Sequence, residues 1–437
     1  MRRWIGDGVD VVTAFLGAAV AGIALFLPIT FSWTAQSTPY RIASLINSVP
    51  RGATIGMIVA VTVAVLITTF ARPLTGWIVA FGGALGLFVN HFAGRNVSSA
   101  DLLTTLNYID VVFGGILLGA LGTAALRRPD TAFGYALGAA SFFVFGDLAD
   151  LLDLSDQDPW AILETPPRWM IGTAVVLLFV AVARHRNRVG PHSDSTVPID
   201  LPIAPILAAT VLGLIVLAAT EWLAGQYNNV SAPGDNRLEI SIAVAATIIA
   251  ALIAAMLLPG RDGIGVLLAV SLVATADALG YAPRPWWSVF AVLALTALGL
   301  FAGLRAPSPF LALLALMGVT VFAFVDAHGD GAVHYIVATV LLTVTTGYCC
   351  GAARPHYGPS AVLALGALFL PSIVTALPVE DETWPPRDNM AAATTPGRVA
   401  LVIVSGCAIA LLLLYRLRQH PHRKPAPPAR EDKVADI

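Results

Sequence analysis

The chain has 437 residues, 57% of them hydrophobic and 12% charged, with a formal charge of −2 and a mean hydropathy of +0.78. Soluble domains carry roughly a quarter charged residues, so this composition excludes a water-soluble enzyme or a nucleic-acid binder. Apolar runs about 20 residues long, enough to cross a hydrocarbon core about 30 Å thick, recur from end to end.

Met1-Arg2-Arg3 followed by the apolar run Val11–Phe31 has the start of a secretory leader. The run is too long and no small-x-small cleavage site follows, so it reads as a retained first span. Thirteen more follow, near 53–70, 74–90, 108–126, 131–150, 168–184, 203–223, 239–258, 262–280, 286–304, 309–327, 331–351, 359–377 and 398–415. Continuous rather than alternating apolar character makes them helices, since backbone groups in lipid must be satisfied within the segment. The expected fold is therefore an all-α integral membrane bundle of 12–14 spans, counted here as 14. The stretch from Thr131 to Arg184 shows the pattern: an apolar helix, an acidic link carrying Asp153, Asp156, Asp158 and Glu164, and a second apolar helix. Arg127/Arg128 and Arg184/Arg186 close it at the opposite end.

Orientation follows from arginine. With the N-terminus in the cytoplasm, 17 of the 25 basic residues fall in cytoplasmic segments, and every cytoplasmic turn holds at least one. This positive-inside pattern places both termini in the cytoplasm of a bacterial plasma (inner) membrane. Tight turns such as Ala71-Arg72-Pro73 and Arg354-Pro355 join most helices there. The polar stretch 185–202 is longer and separates a six-span part (1–184) from an eight-span part (203–415). The proline-rich, charged tail 416–437 is expected to be disordered.

Three segments, near 74–184, 203–304 and 309–415, share loop and helix-end features and read as a parallel four-span repeat after a two-span start. Shared apolar composition alone also produces such matches. The length and the midpoint linker resemble the major facilitator class. The turn Phe70-Ala71-Arg72-Pro73-Leu74-Thr75 lacks that class's Gly- and Asp-containing basic signature, and the rear part has too many spans, so none of its residues is carried over. Pro371 is expected to kink the thirteenth span.

Ionisable residues cluster at helix ends. Asp147, Asp150, Glu221, Asp277 and Asp326 stand at the outer, C-terminal ends of helices, where the helix dipole disfavours a carboxylate by roughly 0.3–1 kcal/mol. Two readings follow. Each acid can pair with the arginine opening the next helix: Asp147 or Asp150 with Arg168, Glu221 with Arg237, Asp277 with Arg284. Alternatively, some of them converge on a mouth that takes protons or a cationic substrate. Asp326 is the foremost candidate because His334 and Tyr335, not an arginine, open the next span; a carboxylate facing a histidine can titrate near neutrality. Cys349, Cys350 and Cys407 lie inside apolar runs and read as packing residues, and no cofactor or metal-ligand cluster is expected.

Span number, the repeat and the linker favour a secondary transporter or a lipid or glycolipid translocator without enzymatic activity. A transporter should have a polar cavity lined by residues such as Asp277, Asp326, His334, Ser271, Thr275 and the Thr343–Thr346 group. The alternative is a non-catalytic membrane subunit or scaffold for envelope biogenesis, partnered by other envelope membrane proteins as well as lipids. A membrane glycosyltransferase is disfavoured because its first external loop normally carries an acid, and Ser32–Gly52 has none.

Overall fold

The computed structural model describes residues 2–26, 29–30, 39–71, 73–93, 100–145, 163–164, 166–186, 202–229, 237–280, 288–325, 332–377 and 394–418. Among them run fourteen helices, one for each expected span. The first six are α1 (Arg2–Phe26), α2 (Pro39–Phe70), α3 (Pro73–Ala93), α4 (Ala100–Ala125), α5 (Pro129–Phe145) and α6 (Arg168–Arg186). Then come α7 (Ala204–Asn229), α8 (Arg237–Leu257), α9 (Ile264–Leu279) and α10 (Ser288–Arg305). The last four are α11 (Pro309–Val325), α12 (Ala332–Ala353), α13 (Gly358–Gly366) and α14 (Thr394–Leu417). A two-residue antiparallel pairing, Ile29–Thr30 with Leu163–Glu164, is the one strand contact among the described residues. Eleven segments are long and apolar enough to cross a membrane, so this is a multi-span membrane protein. The linker 187–201 and the tail from 419 lie outside the described residues.

The helices pack as two six-helix sets with a pair inserted between them. In the front set, α1 packs on α5 and α6 as α4 packs on α2 and α3, and α3 packs on α6. Exchanging α1 with α4, α2 with α5 and α3 with α6 leaves that pattern unchanged, which is an inverted three-helix repeat. The rear set, α9–α14, repeats it: α9 packs on α13 and α14, α12 on α10 and α11, and α11 on α14. Helices α7 and α8 belong to neither set. They pack on each other, α7 also lies on α2, and α8 also lies on α9 and α14. The expected rear eight are thus two plus six.

The four-helix repeat read from the sequence is not the pattern in which the helices associate. Its first and third units, α3–α6 and α11–α14, do hold corresponding places in the two sets. Its middle unit mixes the inserted pair with the first two helices of the rear set, and α7 makes no substantial contact with α10.

Glycines fix the closest crossings. A Cβ on Gly115 would sit 2.4 Å from the Gly56 carbonyl oxygen, and one on Gly119 would sit 2.1 Å from that of Ala60, which sets α4 against α2. Gly134 and Gly138 of α5 meet the Val11 and Phe15 carbonyls of α1 at 2.6 and 2.2 Å in the same sense. In the rear set Gly299 and Gly303 of α10 interlock with Gly347 and Gly351 of α12, backbone on backbone. All four rows are four-residue small-residue repeats, the spacing that lets helices approach closely where lipid removes the hydrophobic drive.

The α13 span is broken, as Pro371 suggested, and further than a kink. The α-helix stops at Gly366, a tight turn covers Ala367–Phe369, Leu370 to Ser372 is extended, and a second tight turn covers Ile373–Ala376. Proline bars the α conformation at Leu370 and removes an amide donor. The Ser372 hydroxyl then accepts from the Val374 amide at 3.0 Å and starts the next turn.

Substituting Gly119→Val should force α4 off α2 and lower stability by about 1–3 kcal/mol, because backbone rather than a movable side chain is in the way. Gly318→Ala, with open space around it, should leave stability unchanged. Thermal unfolding in detergent compares the two; equal midpoints would refute the role assigned to these rows.

Candidate functional site

On the face that holds the start of α1, polar contacts tie each set together. The buried Asp10 carboxylate of α1 accepts from Arg184 Nη1 at 2.8 Å, lies 3.2 Å from His185 Nε2, and is 3.7 Å from Arg128 Nη1, which also donates to Asp7 at 2.9 Å. The start of α1, the α4–α5 turn and the end of α6 therefore share one carboxylate, and the His185 ring stacks on Trp77 of α3. In the rear set, buried Asp262 accepts from the His356 and Tyr357 amides, both at 2.9 Å. A carboxylate from the α8–α9 turn thereby caps α13, where the dipole favours negative charge. Partial burial pushes the Tyr357 phenol above its ordinary range, so it stays neutral at physiological pH. Arg418, past α14, donates to the Met256, Leu258 and Gly260 carbonyls that end α8.

Between the two sets, on this same face, lies a cavity of about 600 Å³. Helix α5 and the ends of α2 and α4 form one wall; α9, α10, α12 and α13 form the other. The mouth is formed by Arg127, Pro129, Arg354, Pro355 and His356, which stand in or beside the turns. The wall is apolar inward through Leu268, Leu272 and Leu365, and the cavity ends at Leu368. From Gly358 to Leu368 it follows α13 for roughly 15 Å at 1.5 Å per residue, about half the apolar thickness. Beyond that point the sets are in contact. Phe369 is buried with its ring on Gly22 of α1, and Gly366 meets Met57 of α2.

The described candidates read from the sequence fall elsewhere. Asp147, Asp150 and Asp326 lie outside the described residues. Glu221 is paired with Arg51 of α2, through Nε at 2.6 Å and Nη2 at 3.1 Å, rather than with Arg237. Asp277, at the end of α9, lies against the Ser372 hydroxyl in the break of α13. His334 stacks on Phe322 of α11, ring centroids 5.3 Å apart. Ser271 and Thr275 are buried and bond back to the Leu267 and Ser271 carbonyls, and Thr343 to that of Thr339. Neither Glu221, Asp277 and His334 nor these hydroxyls line the cavity, so the polar lining expected of a transporter is not what this cavity has.

The structure also brings together residues that the sequence reading passed over. Asn90 Nδ2 donates to Asp110 Oδ1 at 2.8 Å, and His91 Nε2 lies 3.0 Å from Asp110 Oδ2, both side chains nearly fully buried between α3 and α4. Asn107, one turn away, donates to Ser48 of α2 at 2.9 Å. An acid inside an apolar run was the available signal, because Asp110 falls within the expected span 108–126.

No protein-family model matches the chain, and no curated protein matches it in sequence. Solved structures do match in fold. The proton:xylose symporter XylE of the major facilitator superfamily, bound to 6-bromo-6-deoxy-D-glucose, superposes with a TM-score of 0.52 at 14% identity, over 94% of this chain and 96% of that one. A double-tryptophan XylE variant aligns more loosely, with a TM-score of 0.47 at 14% identity over 95% of each chain. The two six-helix sets are thus arranged as in that symporter, and the likeness is one of fold. The surplus of rear spans is accounted for by α7 and α8 standing between two sets of six, while the turn Phe70–Thr75 still lacks the basic signature.

Two ion pairs on opposite faces should differ in weight. Arg184→Ala would leave a buried carboxylate short of a partner and lower stability by about 2 kcal/mol or more. Arg51→Ala, in a pair whose side chains are 52% and 41% exposed, should change it by about 1 kcal/mol or less. Unfolding midpoints of the two variants in the same detergent test this, and the reverse order would contradict it.

Proposed function

We propose that the protein is a secondary transporter that works by alternating access, held here open to the face bearing both chain ends. One observation carries the reading: a cavity at the boundary of two pseudo-symmetric six-helix sets, open at one face and closed at half depth by Phe369 seated on α1. Rocking one set against the other would close the mouth and lift that ring away, exposing the same walls to the other side. The arginine bias of the turns makes the open side cytoplasmic, in a bacterial inner membrane. In this reading the protein is a carrier without an enzymatic step, surrounded by membrane lipids. The sugar bound by XylE does not come across with the fold, because the walls here are mostly apolar.

Access can be measured with single cysteines in a background lacking Cys349, Cys350 and Cys407. Ala136→Cys, in the cavity wall, should react with a membrane-impermeant maleimide from the face bearing the chain ends. Phe369→Ala should raise labelling from the opposite face several-fold by weakening the closed half. A cavity position that never reacts from the opposite face, with or without Phe369, would fit the alternative of a non-transporting envelope subunit and overturn the proposal.

A further inference from the structure

The chemistry of the cavity narrows what it takes. Twenty-six residues line it and none is an aspartate or glutamate. Two guanidinium groups, Arg127 and Arg354, stand at the mouth with His356, and everything deeper is apolar apart from Thr68, Thr123 and the Cys349–Cys350 pair. Elsewhere on this face charges are matched: Arg128 and Arg184 hold Asp7 and Asp10, and Arg261 and Arg305 lie over the Tyr415 and Phe301 rings. Arg127 spends its Nε on the Thr123 carbonyl of its own helix at 3.2 Å, which leaves its terminal nitrogens at the mouth. Two acids stand beside the mouth without lining it: Asp130, exposed in the first turn of α5 next to Pro129, and Asp262, whose oxygens are engaged by the His356 and Tyr357 amides and by the His356 ring at 3.4 Å.

We infer that the cavity binds an anionic amphiphile, with an apolar chain along Leu268, Leu272, Leu365 and Leu368 and a phosphate- or carboxylate-type head on Arg127 and Arg354. The inference rests on the transporter reading and names its substrate class. Guanidinium groups bind such heads through paired, charge-assisted hydrogen bonds. A volume of about 600 Å³ falls within the range of about 300–1,000 Å³ of small-molecule sites and leaves room for a chain as well as a head. The cationic substrate anticipated from the outer acids would meet two guanidinium groups and no carboxylate among the lining residues. A lipid-derived molecule and a free amphiphile share this chemistry.

The test uses the full chain in phosphatidylcholine nanodiscs, carrying Ala132→Cys at the mouth in the cysteine-free background. Protection from maleimide is measured with dodecyl phosphate, dodecyltrimethylammonium, dodecanol and inorganic phosphate. Each rate is normalised to Ala306→Cys, in the exposed α10–α11 turn outside the cavity. Dodecyl phosphate should protect at concentrations about tenfold lower than the ammonium probe, as expected of one or two charge-assisted contacts. Arg127→Gln/Arg354→Gln should erase that preference while dodecanol protects as before, and the paired lysine variant should keep most of it. Equal protection by the ammonium probe, or a preference that survives the glutamine variant, overturns the inference. Inorganic phosphate as effective as dodecyl phosphate also overturns it, since the chain would then contribute nothing. Protection by anionic phospholipid added to the discs at the same surface charge would identify the lipid source, and its absence the free amphiphile; each supports the binding chemistry. If Ala132→Cys does not label at all from this face, the open-cavity reading fails first; normal labelling without anion preference removes only the substrate class.

Discussion

Backbone-to-backbone contact at the glycine rows is the constraint on which the rest of the architecture depends. Between helices in lipid, apolar side chains gain little from meeting one another, so association comes from van der Waals contact at short range. In three helix pairs, α2 with α4, α1 with α5 and α10 with α12, a glycine of one helix lies against the backbone of the other, and a Cβ added at that glycine would collide with it. The first two pairs are related by the exchange that defines the front set, and the third is its counterpart in the rear set. The remaining counterpart, α9 with α13, meets through Gly265 and Ala364 and is looser. Three tight joints and one loose one leave α13 as the helix whose path is least dictated by its own set. It is also the helix that breaks, reaches across to Gly22, Met57 and Gly122, and closes the cavity.

Much of this was legible in the sequence, for definite reasons. The fourteen spans could be found because lipid imposes a length and forbids an unpaired backbone, which leaves a one-dimensional signal. Pro371 marked the break in α13 because proline acts through its own covalent geometry. The pairing of spans was not legible. Glu221 and Arg237 are neighbours along the chain, yet Glu221 finds Arg51, 170 residues away, because α7 lies on α2 and not only on α8. The tie among Asp10, Arg184 and Arg128 was hidden for the same reason: α1, α6 and the α4–α5 turn come together only through the inverted repeat. Such an exchange keeps the order of the helices along the chain and flips them across the membrane, and what it holds in common is small residues at the crossings, which apolar helices carry everywhere. Similar hairpin loops were visible instead, and they suggested a four-helix unit.

The cavity residues were passed over for a different reason. Acids at helix ends drew the sequence reading, and those among the described residues stand outside the cavity: Glu221 in a salt bridge and Asp277 against the break in α13, with His334 on an aromatic ring. The residues that shape the cavity are leucines, alanines and glycines, indistinguishable in sequence from those facing lipid. Arg127 and Arg354 look like ordinary orientation signals. Their other property, lining a cavity whose walls hold no carboxylate, exists only once α4, α5 and α12 are placed side by side.

The inserted pair follows from the same geometry. If one set rocks against the other, α7 and α8 cannot stay fixed to both. Helix α7 lies on α2, in the front set, and on the Ile373–Ala376 turn of the rear set, while α8 lies on α9 and α14. The Arg51–Glu221 bridge joins α7 to the front set through exposed side chains, and exposed pairs of that kind contribute about 0–1 kcal/mol. The contact of α8 with α14 includes Ile248 filling the space above Gly406, which is apolar and closer fitting. The attachment to the front set is close fitting too, since Gly213 of α7 meets Thr54 and Met57 of α2. The pair is therefore held on both sides, and in the proposed rocking motion one of its two packed contacts has to slide.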